Sequence, residues 1–183
     1  MADSTEVDEM FELLYEITPG GYKSEVVDGA IHMVPNRDTH WDIIANVLSQ
    51  LTDRFGEDCK IMHDVRLDLP GYGNAFAPDL YKLARGAVHD EKGHWRYQDV
   101  EFVLEVITRG TADRDYGKKK AAYAAGGVPV YVIADPYTGR CQVHTVPKDG
   151  EYRANRTTDF GDPLDLTDTL VDLTITTDEF PRD

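Results

Sequence analysis

The chain has 183 residues, 41% hydrophobic and 10% aromatic, enough apolar material for one sizeable core. Its 34 acidic residues against 19 Lys and Arg give a formal net charge of -15. Such a field repels nucleic acid and anionic membrane over long range and weighs against passive DNA coating. The two cysteines, Cys59 and Cys141, lack metal-ligand spacing, so neither a disulfide framework nor a zinc ribbon is indicated. The opening segment MADSTEVDEMFELLYEITPG lacks the basic region and apolar core of a signal peptide, and no stretch approaches membrane-spanning length. The expectation is a soluble, cytoplasmic protein with no membrane partner.

Met10, Phe11, Leu13, Leu14 and Ile17 have helical spacing, which predicts a short amphipathic helix over 7–17 that stops at Thr18-Pro19-Gly20-Gly21. Ser24–Val27 and Ala30–Val34 flank Asp28-Gly29, the strongest local signal for a β-hairpin. Asp38 or Thr39 caps a second predicted helix, which ends at Gly56 and sets Trp41, Ile44, Val47, Leu48, Leu51 and Phe55 on one face. From Cys59 to Leu69 apolar and polar residues alternate, predicting one strand with His63 on its buried face.

The turn-rich Pro70–Asn74 precedes a short apolar strand, Phe76–Leu83, interrupted near its start by Pro78-Asp79. A polar loop over 85–99 leads into a strongly apolar strand, Val100–Ile107. Asp113–Ala125 reads as a third helix closed by Gly126-Gly127, and Val128–Ala134 as a strand. Strand, helix, strand implies a parallel crossover. After the turn Asp135–Gly139, Cys141–Val146 should pair antiparallel with its predecessor, and Tyr152–Phe180 reads as edge strands and loops. With no internal repeat or linker, one mixed α/β domain over 1–183 is the economical expectation.

One charge stands out. Glu105 sits inside Phe102-Val103-Leu104-Glu105-Val106-Ile107, where a strand holds it in or beside the core, and an unpaired buried carboxylate is costly. Asp79 opens the preceding apolar strand and Lys119 stands on the following helix, so neighbouring strands bring the three together. Converging carboxylates repel, and a divalent cation relieves the repulsion. Oxygen donors suit Mg2+ or Mn2+. Read singly, Glu105 also fits an edge facing solvent, Asp79 a turn, His40 a helix cap, Glu25 an exposed strand, and Lys118-Lys119-Lys120 a solvated helix face.

The order Pro78-Asp79 then Glu105-Val106-Ile107 resembles the PD-(D/E)XK superfamily of restriction-endonuclease-like nucleases, in which an acid after proline and an acid two residues before a lysine define the site. Position 107 is Ile, and the chain is similar to a bacterial branch, the Uma-type restriction endonucleases, that carries the lysine on the next helix. The resemblance also covers Glu25-Val26-Val27-Asp28-Gly29, His40, Thr108, Asp115, Tyr123, Gly127-Val128-Pro129, Tyr131 and Asp135-Pro136.

That resemblance implies a restriction-endonuclease-like mixed β-sheet flanked by helices, with an N-terminal helix and a β-hairpin. It implies Asp79 and Glu105 as ligands of Mg2+ or Mn2+, with the Val106 carbonyl as a third donor, and Glu25 and His40 at the rim. The lysine role is open among Lys118, Lys119 and Lys120, and steps of four from Asp115 to Tyr123 select Lys119. The implied activity is metal-dependent hydrolysis of DNA phosphodiesters, with Arg109, Arg114 and the lysine run as a local positive rim. The alternative is a catalytically silent nuclease fold acting through protein partners. Exposed edge strands suggest a homodimer.

Overall fold

The computed structural model describes residues 4–183 apart from Asn36, Glu57 and Tyr72, without the side chains of Ser4 and Thr5. Tyr72, within the predicted 70–74 loop, lies outside the described residues. Helix α1 (Ser4–Ile17) precedes the hairpin β1 (Tyr22–Val27) and β2 (Ala30–Pro35), and helix α2 spans Asp38–Phe55. Short strands follow: β3 (Ile61–Met62), β4 (Leu67–Asp68), β5 (Ala75–Phe76), β6 (Leu80–Leu83) and β7 (Trp95–Arg96). Next come β8 (Val100–Val106), a π-helix (Arg114–Lys119), α3 (Lys120–Ala125) and β9 (Val130–Asp135). The chain ends with β10 (Arg140–Lys148), β11 (Glu151–Asp159), β12 (Leu164–Asp165) and β13 (Thr174–Ile175).

Two mixed sheets result, ordered β11-β10-β9-β8-β6-β3 and β2-β1-β5-β4-β7, with β12 and β13 pairing separately. The predicted crossover is present: β8 and β9 are parallel, with Glu105 opposite Ile133, and β10 returns antiparallel to β9. Period two divides β8. Phe102, Leu104 and Val106 pack under Ile43, Ile44, Val47 and Leu51 of α2, together with Leu164, Leu166, Val171, Ile175 and Phe180 from the C-terminal segment. Burying each of these large aliphatic or aromatic side chains contributes about 1.5–3 kcal/mol. Val103 and Ile107 turn the other way, against α3 and the smaller sheet.

Five expectations need correction. The single strand over 59–69 does not form. His63 and Asp64 make a bend, with Asp64 at φ 52, so β3 joins the larger sheet and β4 the smaller. His63 is therefore exposed rather than a core histidine, and the half-exposed Trp41 packs edge-on against it instead of joining the buried face of α2. The strand over 76–83 likewise splits at Pro78-Asp79, where the chain passes from the smaller sheet to the larger. The predicted helix over 113–125 opens with a π-helical turn rather than a regular α-turn.

Gly73 has a packing reason. It sits at φ +60, its carbonyl accepts the Gly29 N–H at 3.1 Å, and a Cβ there would lie 2.7 Å from Gly29 Cα. The loop is thus seated against the hairpin turn. Gly150, at φ +75, has open space around it. Ala at either position meets a left-handed backbone cost of about 1–2 kcal/mol. In chemical denaturation, Gly73→Ala is expected to lose clearly more stability than Gly150→Ala; equal losses would contradict the packing role.

Candidate active site

Alternation on β1 sends Ser24 and Val26 toward α1 and turns Lys23 and Glu25 inward. On β8 the same rule puts Glu105 on the side of α3. Asp79 stands at the junction between the sheets, and His40 lies in the first turn of α2. All five residues singled out in the sequence, Glu25, His40, Asp79, Glu105 and Lys119, line one cleft, together with Lys23 and Asp115. The cleft has about 20 Å³ of free space, room for one water-sized guest.

The carboxylates are held from several sides. Asp79 Oδ2 accepts the Val106 N–H at 2.7 Å and contacts His40 Nε2 at 3.0 Å, while its Oδ1 accepts from Lys23. Glu105 Oε1 accepts from Tyr123 Oη and lies near Lys119 Nζ, both at 2.6 Å, and its Oε2 faces Lys23 Nζ at 3.6 Å. Lys119 also reaches Glu25 at 3.0 Å and Asp115 at 3.2 Å. The π-turn carrying Asp115 is anchored by Tyr131 Oη, which donates to the Asp115 carbonyl at 2.9 Å. Steps of four therefore do bring Asp115, Lys119 and Tyr123 to one place.

Glu25, Asp79, Glu105 and Asp115 are each at most 2% exposed; Lys119 and the largely buried Lys23 face them inside the cleft, His40 lies beside Asp79, and Arg114 Nε is 3.9 Å from Glu25. Four acids thus converge on two ammoniums, an imidazole and, at the edge, one guanidinium. Burial and these partners together set the titration behaviour. Burial raises the Asp79 pKa, but Lys23 and His40 overcome this and hold it far below the usual range. Burial pushes Glu105 up to about 7, despite Lys119 and Lys23, and raises Asp115. Burial opposes the charge of Lys119, yet Glu105, Glu25 and Asp115 hold its pKa well above normal.

Sequence reasoning missed Lys23 and left Asp115 as a marker of helical phase. The available signal for Lys23 was its position two residues before Glu25 on one strand, which puts both on the same face. The positive rim is also thinner than expected. Lys119 is buried, Lys118 pairs with Asp28 at 2.7 Å, and Lys120 lines a different cavity with His144 and Tyr152. Arg114 turns toward Glu25 and His32, and Arg109 lies exposed over the Tyr137 ring. Among the described residues, a separate set, Asp8, Asp68 and His94, brings three ligand atoms within 4.8 Å of one another, but Arg66 and Lys92 already pair with its acids.

Removing one partner of a buried charge cluster strands the rest, at a cost of about 3–5 kcal/mol. Lys119→Met is expected to lose that much stability in metal-free urea denaturation. Lys118→Met, whose ammonium is largely exposed, should lose less than about 1 kcal/mol. Similar losses for both would contradict the central place of Lys119.

A solved structure from Anabaena variabilis, described as a putative nuclease, superposes with a TM-score of 0.71 at 13% identity, covering 95% of this chain and 96% of that one. This likeness is one of fold. No curated protein matches the sequence significantly. Among the described residues, no helix is long and apolar enough to cross a membrane. The family model described as Uma2, "Putative restriction endonuclease", matches residues 7–178, and the chain belongs to that family.

Proposed function

We propose that the chain is a divalent-metal-dependent endonuclease that hydrolyses DNA phosphodiester bonds, with Asp79 and Glu105 as ligands of Mg2+ or Mn2+. The observation that carries this reading is that Asp79 Oδ1, from the bend between β5 and β6, and Glu105 Oε2, from β8, face one cation, Lys23, inside a cleft lined by four buried carboxylates. The donor set fits a hard divalent ion, being oxygen-rich and doubly negative. Such an ion, when bound, activates water and stabilises charge on the phosphate oxygens.

The chain's own groups have distinct tasks in this reading. The Val106 N–H and His40 fix the Asp79 carboxylate, leaving its Oδ1 directed into the cleft. Tyr123 and Lys119 do the same for Glu105, and Lys119 adds a positive field along the wall where the phosphate charge develops. Glu25 lies where it can orient a water. The family match over 7–178 supports a single domain and a DNA substrate. Exposed side chains along β2 and β11, which edge their sheets, support a homodimer, and a cytoplasmic setting completes the proposal. The net charge of -15 and the sparse rim favour one second reading, a silent nuclease fold that binds protein partners.

Calorimetric titration with Mn2+ is expected to show one site, lost in Asp79→Asn and in Glu105→Gln. Nicking of supercoiled plasmid DNA is expected with Mg2+, abolished by EDTA or by Asp79→Asn. Mn2+ binding without any nicking would favour the silent fold. Absent binding would remove the metal site.

A further inference from the structure

Lys23 has no place among the roles assigned above. Its side chain is 10% exposed and touches both proposed metal ligands. On each ligand the second oxygen is already engaged: Asp79 Oδ2 by Val106 and His40, Glu105 Oε1 by Lys119 and Tyr123. The two oxygens left for a further cation are the two that Lys23 faces. An ammonium and a divalent ion at that point would overlap and repel strongly at such short range.

We propose that Lys23 is the resident counter-cation of the metal-free site, and that a divalent cation loads only by displacing its ammonium toward Asp64. This rests on the reading of Asp79 and Glu105 as metal ligands. A landing place exists. Asp64 Oδ1 is 3.7 Å from Lys23 Nζ and its side chain is 38% exposed. A neighbouring cavity of about 190 Å³ is lined by Lys23 itself with Tyr22, Ser24 and Asp64. The long lysine stem is flexible enough to reorient its ammonium toward that side.

The second lysine offers the contrast. Lys119 is 1% exposed, lies within ion-pair distance of three carboxylates, and borders the small cleft. One lysine is thus fixed and the other exchangeable. Lys23 keeps converging acids from repelling one another before metal arrives. It also lowers metal affinity, because its ion pairs with Asp79 and Glu105 must break first.

Two measurements on the full chain test this. In lysine acylation followed by mass spectrometry, Lys23 of the wild type is expected to be protected without metal and reactive with saturating Mg2+, while Lys119 stays protected throughout. In Mn2+ calorimetry, Lys23→Met is expected to bind on the order of tenfold or more tighter than wild type, with a lower metal-free melting temperature. Lys23 remaining protected while wild type binds Mn2+ in an Asp79→Asn-sensitive manner would overturn the proposal and leave the metal site standing. So would Mn2+ binding by Lys23→Met that is no tighter. Binding absent from every form, or unaffected by Asp79→Asn, would remove the metal site and this proposal with it. Should Lys23→Met fail to fold, the wild-type acylation result decides.

Discussion

Glu105 is an acid near the end of an apolar strand, and the surrounding elements are arranged to make its charge tolerable. An isolated carboxylate at 1% exposure would simply take up a proton. Here Lys119 and Tyr123 reach it from one helix and Lys23 from the hairpin, yet burial still pushes its pKa up to about 7. The compensation is incomplete. Four buried carboxylates brought together from separate elements around a small cleft are the basis for the cation site proposed above.

The topology serves that cluster. The parallel β8–β9 crossover forces the chain through the helix carrying Asp115, Lys119 and Tyr123 directly above the Glu105 face. Pro78-Asp79 lies where the chain leaves one sheet for the other, so Asp79 meets the end of β8 and takes its Val106 N–H. Helix α2 buries an aliphatic stripe against the opposite face of β8 while its first turn brings His40 to the cleft. Family membership and the superposition with a solved structure described as a putative nuclease agree with this arrangement.

Much of this was legible in the sequence. The hairpin followed from Asp-Gly between two apolar runs, the crossover from an apolar strand, a helical pattern and a second apolar strand, and the lysine from steps of four. The failures share a cause. Alternation over 59–69 is a local property, but two-residue strands pair with different sheets there, and a bend at His63-Asp64 separates them. Local period does not reveal which sheet a segment joins. Lys23 was missed because a lysine on a hairpin strand ordinarily faces water. Only the inward turn of Glu25, which depends on α1 covering the other face, brings Lys23 in with it. Of the lysine run only Lys119 enters the cleft, so the expected positive rim is thin: Lys120 lines another cavity and Lys118 joins a surface pair.

Asp79 Oδ1 and Glu105 Oε2 are proposed as ligands of one divalent ion. Anomalous diffraction from crystals soaked in Mn2+ tests this assignment most directly. A single strong peak at about 2.1 Å from both oxygens is expected. A peak only at Asp8, Asp68 and His94, or none in the cleft at saturating Mn2+, would contradict it.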